Sequence, residues 1–267
     1  MKSRIAGIFA AVLGLALVVG CSDKKGSGAA ESKSPQPAAR FVVGLDESFP
    51  PMGFRNEKGE IVGFDVDLAR EAAKRMGVEV VFQPIDWKAK ELELNGKKID
   101  AIWNGFTITE DRKKAMSFTR PYLKNRQVII VSGSSAIAGK AGLAGKRVGT
   151  QESSAGFEVV EADPALKASL KSFNTYPDFV AALTDIKAGR IDAVIGDEIL
   201  ARYYAGKEKD VFKILDEALI DEEYGVGLRL GDTELRDRLQ KALDDMARDG
   251  TAARISEAWF GKDIYLK

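Results

Sequence analysis

The chain has 267 residues, 45% of them hydrophobic, enough for one large domain or two modest lobes. Lysine plus arginine and aspartate plus glutamate both number 40, so there is no basic excess and no nucleic-acid surface is expected. Histidine is absent, which removes the commonest general base and the commonest metal ligand. Serine–histidine triads, histidine phosphotransfer and the usual zinc sites are excluded, and no metal or cofactor is expected.

The first elements concern export. Lys2 and Arg4 precede an uncharged run, residues 5–20, that is short for a membrane span of about 20 residues. The run closes as Leu17-Val18-Val19-Gly20-Cys21, which reads as a signal peptide (1–20) with Cys21 placed as in a bacterial lipobox. The alternative is an ordinary signal peptide with an incidental cysteine. Cys21 is the only cysteine, so no disulfide frame is expected. Residues 21–40 are rich in Lys, Ser, Gly, Ala and Pro, with no large apolar side chain, and read as a flexible tether. The folded part is expected to begin near Phe41, on an exported, lipid-anchored chain.

Residues 41–45 predict a strand ending at Asp46, followed by a loop with Glu47 and Phe49 and a turn at 56–59. A helix over 64–76, closed by Gly77, and a strand over 78–82 complete a βαβ unit with a parallel pair. A helix over 87–95 and a short strand over 98–102 follow. Thr109 is a good N-cap, with Glu110 and Asp111 in the first turn. Arg112 at the third helical position opposes the helix dipole. Either it grips an anion at the strand's carboxyl end, or it pairs with a local acid such as Glu110.

Strands are expected at 126–131 and 146–150, then a polar turn at Gln151, Ser153 and Ser154 into a helix over about 157–161. A strand at 171–173 leads to a helix over 177–188 with Pro177 near its first position. Residues 190–195 form a strand ending at Gly196-Asp197, with a helix over 198–204. The segment 189–194 echoes 96–102, as two lobes of similar plan would require; chance in a chain rich in Ile, Asp and Ala is the alternative. A strand over 224–230, an amphipathic helix over 233–248 and a last helix over 252–260 finish the chain.

In open parallel sheets, ligands lie beyond the carboxyl ends of the strands. There stand Asp46, Asn104, Gly105, Thr107, Arg112, Gln151, Ser153, Ser154 and Asp197. Each has a duller role: Ser153 or Ser154 as an N-cap, Asp197 as the cap of the next helix, Asp46 in a turn. Jointly they match a zwitterion, with Arg112 on a carboxylate and Asp197 on an ammonium. Phe49, Trp87 and Trp103 are candidate walls, Trp103 the weakest because alternation can turn it away. Asp46, Glu47 and Glu91 are candidate readers of a polar or cationic side chain.

Gly63-Phe64-Asp65-Val66-Asp67-Leu68, Thr107-Ile108-Thr109-Glu110-Asp111-Arg112, Gly145-Lys146-Arg147-Val148-Gly149, Arg190-Ile191-Asp192-Ala193 with Asp197, and Trp259-Phe260-Gly261 together resemble the family 3 extracellular solute-binding proteins. The resemblance runs from Phe41 to Gly261. It implies an α/β, two-lobed type II periplasmic-binding-protein fold with two crossover hinge strands, lobe 1 being 41–127 plus 223–267 and lobe 2 being 128–222. It implies a monomer that takes an L-amino acid to ABC permease subunits. Carried over, Arg112 and Thr107 hold the α-carboxylate, Asn104 and Gly105 offer backbone groups, and Asp197 takes the α-ammonium. Asp46, Phe49 and Trp87 match the side-chain pocket of basic amino-acid receptors. Ser154 and Ala155 fall where the family often has two hydroxyl residues, so Ala155 offers only its N–H. Asn104 replaces a common serine, and Gln151 shares that wall. Arginine, lysine, glutamine and cystine all stay open as ligands. The competing expectation is an enzyme on this scaffold, a prephenate or arogenate dehydratase, with Glu47, Glu91 or Glu152 as its acid. A sensor lobe acting through a membrane partner is a third.

Overall fold

The structure is a computed structural model that describes residues 39–267. The expected signal peptide, Cys21 and the tether up to residue 38 lie outside the described residues. No helix among the described residues is long and apolar enough to cross a membrane.

Strand β1 (Arg40–Leu45) begins one residue before the expected start. Three short strands, β2 (Ser48–Phe49), β3 (Gly53–Arg55) and β4 (Ile61–Val62), form a small antiparallel sheet from what reads as loop in the sequence. Helix α1 (Phe64–Met76) buries Phe64, Leu68, Ala69 and Ala72 on one side and stops at Gly77, which takes the left-handed conformation at φ 69°. Strand β5 (Glu79–Pro84) pairs parallel with β1 from Arg40↔Glu79 to Leu45↔Pro84, completing the expected βαβ unit. A 3-10 turn (Trp87–Ala89) runs into α2 (Lys90–Asn95). Strand β6 (Ala101–Ile102) pairs parallel on the other side of β1, and α3 (Glu110–Ala115) starts at Thr109, whose hydroxyl accepts the Arg112 N–H at 3.2 Å.

The chain then makes β7 (Met116–Phe118) and crosses over along β8 (Leu123–Ser132). Next come β9 (Arg147–Gln151), α4 (Ala155–Glu161), α5 (Pro164–Ser169), β10 (Ser172–Tyr176), α6 (Phe179–Lys187), β11 (Ala193–Asp197) and α7 (Glu198–Lys207). It returns along β12 (Phe212–Tyr224), which pairs antiparallel with β8 from Phe212↔Ser132 to Tyr224↔Leu123. These are the two crossover strands. Strand β13 (Gly227–Arg229), α8 (Thr233–Arg248) and α9 (Thr251–Phe260) close the first half. Leu239, Ala242, Leu243 and Met246 of α8 are buried, the stripe its periodicity requires.

The two large sheets share one plan, β5-β1-β6-β13-β7 and β10-β9-β11-β8-β12, with three parallel strands followed by antiparallel neighbours. The echo between 96–102 and 189–194 is therefore structural. Asp100 and Asp192 make matching bonds, each carboxylate accepting the backbone N–H of the neighbouring strand, Val42 at 2.9 Å and Arg147 at 2.7 Å.

Several expectations need correction. Pro177 lies before the N-cap of α6, because Asp178 takes that place and accepts the Ala181 N–H at 2.8 Å. The expected strand over 224–230 is two elements, the end of β12 and β13. The α4 helix begins at Ala155 rather than at Phe157, since Ser154 caps it. Strand β12, whose exposed positions carry Lys213, Asp216, Glu217 and Asp221, has no clean apolar alternation, so the residue pattern does not show it, although the resemblance implies a second crossover strand there.

Candidate functional site

Arg112, Asp197, Asp46, Asn104, Gly105, Thr107, Gln151, Ser154, Ala155, Phe49 and Trp87 all line one cavity between the two sheets, together with Phe179. The free space between these side chains is only about 10 Å³, room for a single water-sized sphere and far below the usual range of about 300–1,000 Å³ for small-molecule sites, so the walls stand closed on each other and must part to admit an amino acid. Eleven of the candidate residues are therefore brought together, and Asp46, Asn104, Gly105, Gln151 and Asp197 stand at or just beyond the carboxyl ends of β1, β6, β9 and β11, as open parallel sheets dictate.

Arg112 is 4% exposed. Its guanidinium lies 4.6 Å over the Phe106 ring, a cation–π contact that rigidifies it. Nη1 donates to the Thr107 carbonyl at 2.8 Å, and Nη2 donates to Glu158 Oε1 of α4 at 2.6 Å. Nε is buried with no partner among the described residues. The local pairing with Glu110 does not occur: Glu110 is bound to Lys113 at 2.8 Å and Asp111 to Lys114 at 2.7 Å. Arg112 thus reaches inward rather than along its own helix.

Asp197 is also 4% exposed. It precedes α7 yet makes no side-chain cap bond, so the dull explanation for it fails. Its Oδ1 accepts Asn125 Nδ2 at 2.7 Å and the Tyr224 hydroxyl at 2.5 Å. Burial pushes its carboxyl up, against hydrogen bonds from its neighbours and the charge of Arg112. Among the described residues no lysine or arginine is paired with it.

Asp46 Oδ1 accepts both N–H and O–H of Ser48, at 2.9 and 2.5 Å, so the turn role holds for one oxygen. Its Oδ2 accepts Gln151 Nε2 from the opposite sheet at 2.7 Å. Burial raises the Asp46 carboxyl against those bonds. Ser154 is the N-cap of α4, accepting the Phe157 N–H at 3.1 Å, and still lines the cavity. Gly105 sits at φ +57°, and a Cβ there would lie 2.8 Å from Phe49 Cε1. Its N–H donates to Asp65 Oδ2 at 2.7 Å, which fixes the loop carrying Asn104 and Thr107.

Some candidates lie elsewhere. Trp103 is buried in the core against Tyr122, and its alternation accounts for that. Glu47 pairs with Arg55 at 2.5 Å outside the cavity. Glu91, Glu152 and Ser153 do not line it. Ser153 instead presents its carbonyl to Lys90 Nζ at 2.9 Å from a residue at φ +58°. Phe179 was missed. It is the first residue of α6, buried, with its ring 5.8 Å from Phe49; an aromatic just after an N-cap aspartate was the available signal.

Two α/β sheets of matched topology, two antiparallel crossover strands and one enclosed cavity at the strand ends define a two-lobed type II solute-binding architecture. The chain belongs to the bacterial extracellular solute-binding proteins, family 3, whose model matches residues 41–262. It is 32% identical over 257 residues to the L-cystine-binding protein TcyJ of Escherichia coli (strain K12), covering 95% of this chain and 94% of that one. It is 33% identical over 239 residues to the histidine-binding periplasmic protein of Salmonella typhimurium, with 85% and 89% covered. An ABC uptake transporter substrate-binding protein from Streptococcus pneumoniae with bound histidine superposes with a TM-score of 0.83 at 37% identity, covering 85% of this chain and 95% of that one. These relatives carry the names of binding proteins rather than of enzymes.

Proposed function

We propose that this chain captures a polar or cationic L-amino acid between its lobes and hands it, unchanged, to the permease of an ABC importer. The observation that carries the reading is the placing of Arg112 and Asp197 on one closed cavity, with Phe49, Trp87 and Phe179 as apolar walls and Asp46 with Gln151 as further polar groups. A guanidinium with a buried unpartnered Nε suits a carboxylate. A buried carboxylate without a cation suits an ammonium. The names of the relatives, binders of cystine and of histidine, support the same class of ligand.

The lobes are assigned as residues 41–127 plus 223–267 and residues 128–222, joined along β8 and β12. The protein acts as a monomer, outside the cytoplasm, held to a bacterial membrane through lipid on Cys21. The absence of Glu47, Glu91 and Glu152 from the cavity lining counts against a dehydratase.

The test is a thermal-shift screen of the twenty L-amino acids with ornithine and cystine. Ligand at about 100 times its Kd stabilises the folded state by about 2.7 kcal/mol, which a melting curve resolves. A screen in which no amino acid raises the midpoint refutes the proposal.

A further inference from the structure

We propose that Glu222, on the return crossover strand β12, is a positioning residue for Asp197, and that the pair gives up a proton when a ligand ammonium settles on Asp197. The proposal rests on the reading of Asp197 as the ammonium site and adds to it a residue that does not line the cavity.

Asn125 Nδ2 donates to Asp197 Oδ1 at 2.7 Å and to Glu222 Oε1 at 2.5 Å, so one amide bridges the buried Asp197 carboxyl and the half-buried Glu222 carboxyl. Gln127 Nε2 adds a bond to Glu222 Oε1 at 2.9 Å. From β12 itself, Tyr224 holds Asp197. From α7, Glu198 is already taken by Arg126, through two bonds of 2.7 Å, and by Arg202. From α3, Arg112 bears on Asp197 by its charge but is bonded to Glu158. Glu222 also lines an open groove, separate from the cavity, with Lys113, Lys124, Arg126, Asp221 and Glu223. Among the described residues neither Asp197 nor Glu222 is in an ion pair.

Two carboxyls bridged by one amide, with no cation paired to either, repel each other when both ionise, which favours a shared proton. Burial, and then the charge of Asp197, pushes Glu222 up to about 8. The proton therefore sits on the pair at neutral pH, with the titration shared between the two. An ammonium arriving at Asp197 supplies the missing positive charge, and the proton leaves Glu222 through the open groove to water.

The test is titration calorimetry of the full chain at pH 7 in phosphate and in Tris, whose ionisation heats differ. The probe is L-arginine, or L-glutamine where the screen favours a neutral side chain. The expected result is release of about half to one proton per ligand, with affinity rising several-fold per pH unit between about 6 and 8. Glu222→Gln should still bind, and its heats should no longer depend on the buffer. Should that variant not fold, infrared difference spectra of the unaltered protein serve instead: the band of a protonated carboxyl should vanish as the probe is added. Binding by the unaltered protein with equal heats in both buffers and a flat pH profile overturns the proposal and leaves the amino-acid reading standing. A screen with no binder at all removes both.

Discussion

Replacing Arg112 by alanine tests the cationic end of the site, the one proposed to take the ligand carboxylate. A buried guanidinium and a ligand carboxylate share two charge-assisted hydrogen bonds, each contributing about 1.5–3 kcal/mol. The gross value is about 3–6 kcal/mol. Against this, Nη2 already donates to Glu158, and Glu158 is 41% exposed by its side chain, so that contact offsets only about 1 kcal/mol or less. The net loss is about 2–5 kcal/mol, or one to four decades in Kd. Titration calorimetry with the amino acid that gives the largest thermal shift reads it. A melting curve controls for folding, since the lost stacking on Phe106 should cost about 0.5–2 kcal/mol and lower the midpoint by a few degrees. Arg112→Lys should recover little, because an ammonium lacks the planar fork. A cooperatively folded Arg112→Ala protein with a Kd within a factor of three of the original would refute the assignment of the carboxylate to Arg112.

Three other outcomes are expected. Gly105→Ala forces a Cβ to 2.8 Å from Phe49 at a positive φ; it should lose about 1–2 kcal/mol in urea unfolding and bind at least tenfold more weakly. Asp46→Asn should weaken L-arginine by about tenfold or more and leave L-glutamine nearly unchanged in parallel titrations; equal losses for both would deny Asp46 a part in reading side-chain charge. Burial lifts Asp65 to about 7, against bonds from Gly105 and Tyr122. A carboxyl raised on folding binds more protons folded than unfolded, so its contribution is fully present below about pH 4 and is lost as pH rises through about 7. Asp65→Asn should therefore flatten the fall in urea midpoint between pH 4 and 7, and an unaltered slope would contradict it.

The fold was most legible where sequence pattern and local chemistry agree. Helix α1 was bounded to the residue by its apolar spacing and by Gly77. Helix α8 was bounded as closely by its stripe and by Thr233. The doubled plan was visible because Asp100 and Asp192 repeat a bond to a neighbouring strand, and such a bond needs the same residue type in the same place. Strand β12 was illegible for the opposite reason. It lies half exposed against β8 alone on one side, so its alternation is blurred by charged positions such as Glu217 and Asp221. Helix α5 was passed over although Asp163 and Pro164 mark its start, because six residues carry too little periodicity.

The site divides along the same line. Residues that meet the cavity from strand ends could be found, since position after a strand and side-chain chemistry are both local properties: Asp46, Arg112, Gln151 and Asp197 are of this kind. The groups that hold them could not, because strand pairing brings them in from far along the chain. Asn125 and Tyr224 reach Asp197 across 72 and 27 residues. Asp65 reaches Gly105 across 40. In the proposed site the ligand contacts stand at the tips of the sheets and their supports in the crossover strands. With the lobes divided as proposed, those strands carry the chain between them among the described residues, so a group such as Asn125, bonded to a cavity residue and to the opposite crossover strand at once, ties the charge of the site to the geometry of the joint. Substituting it should therefore alter affinity without touching ligand, a consequence that no reading of the lining residues alone contains.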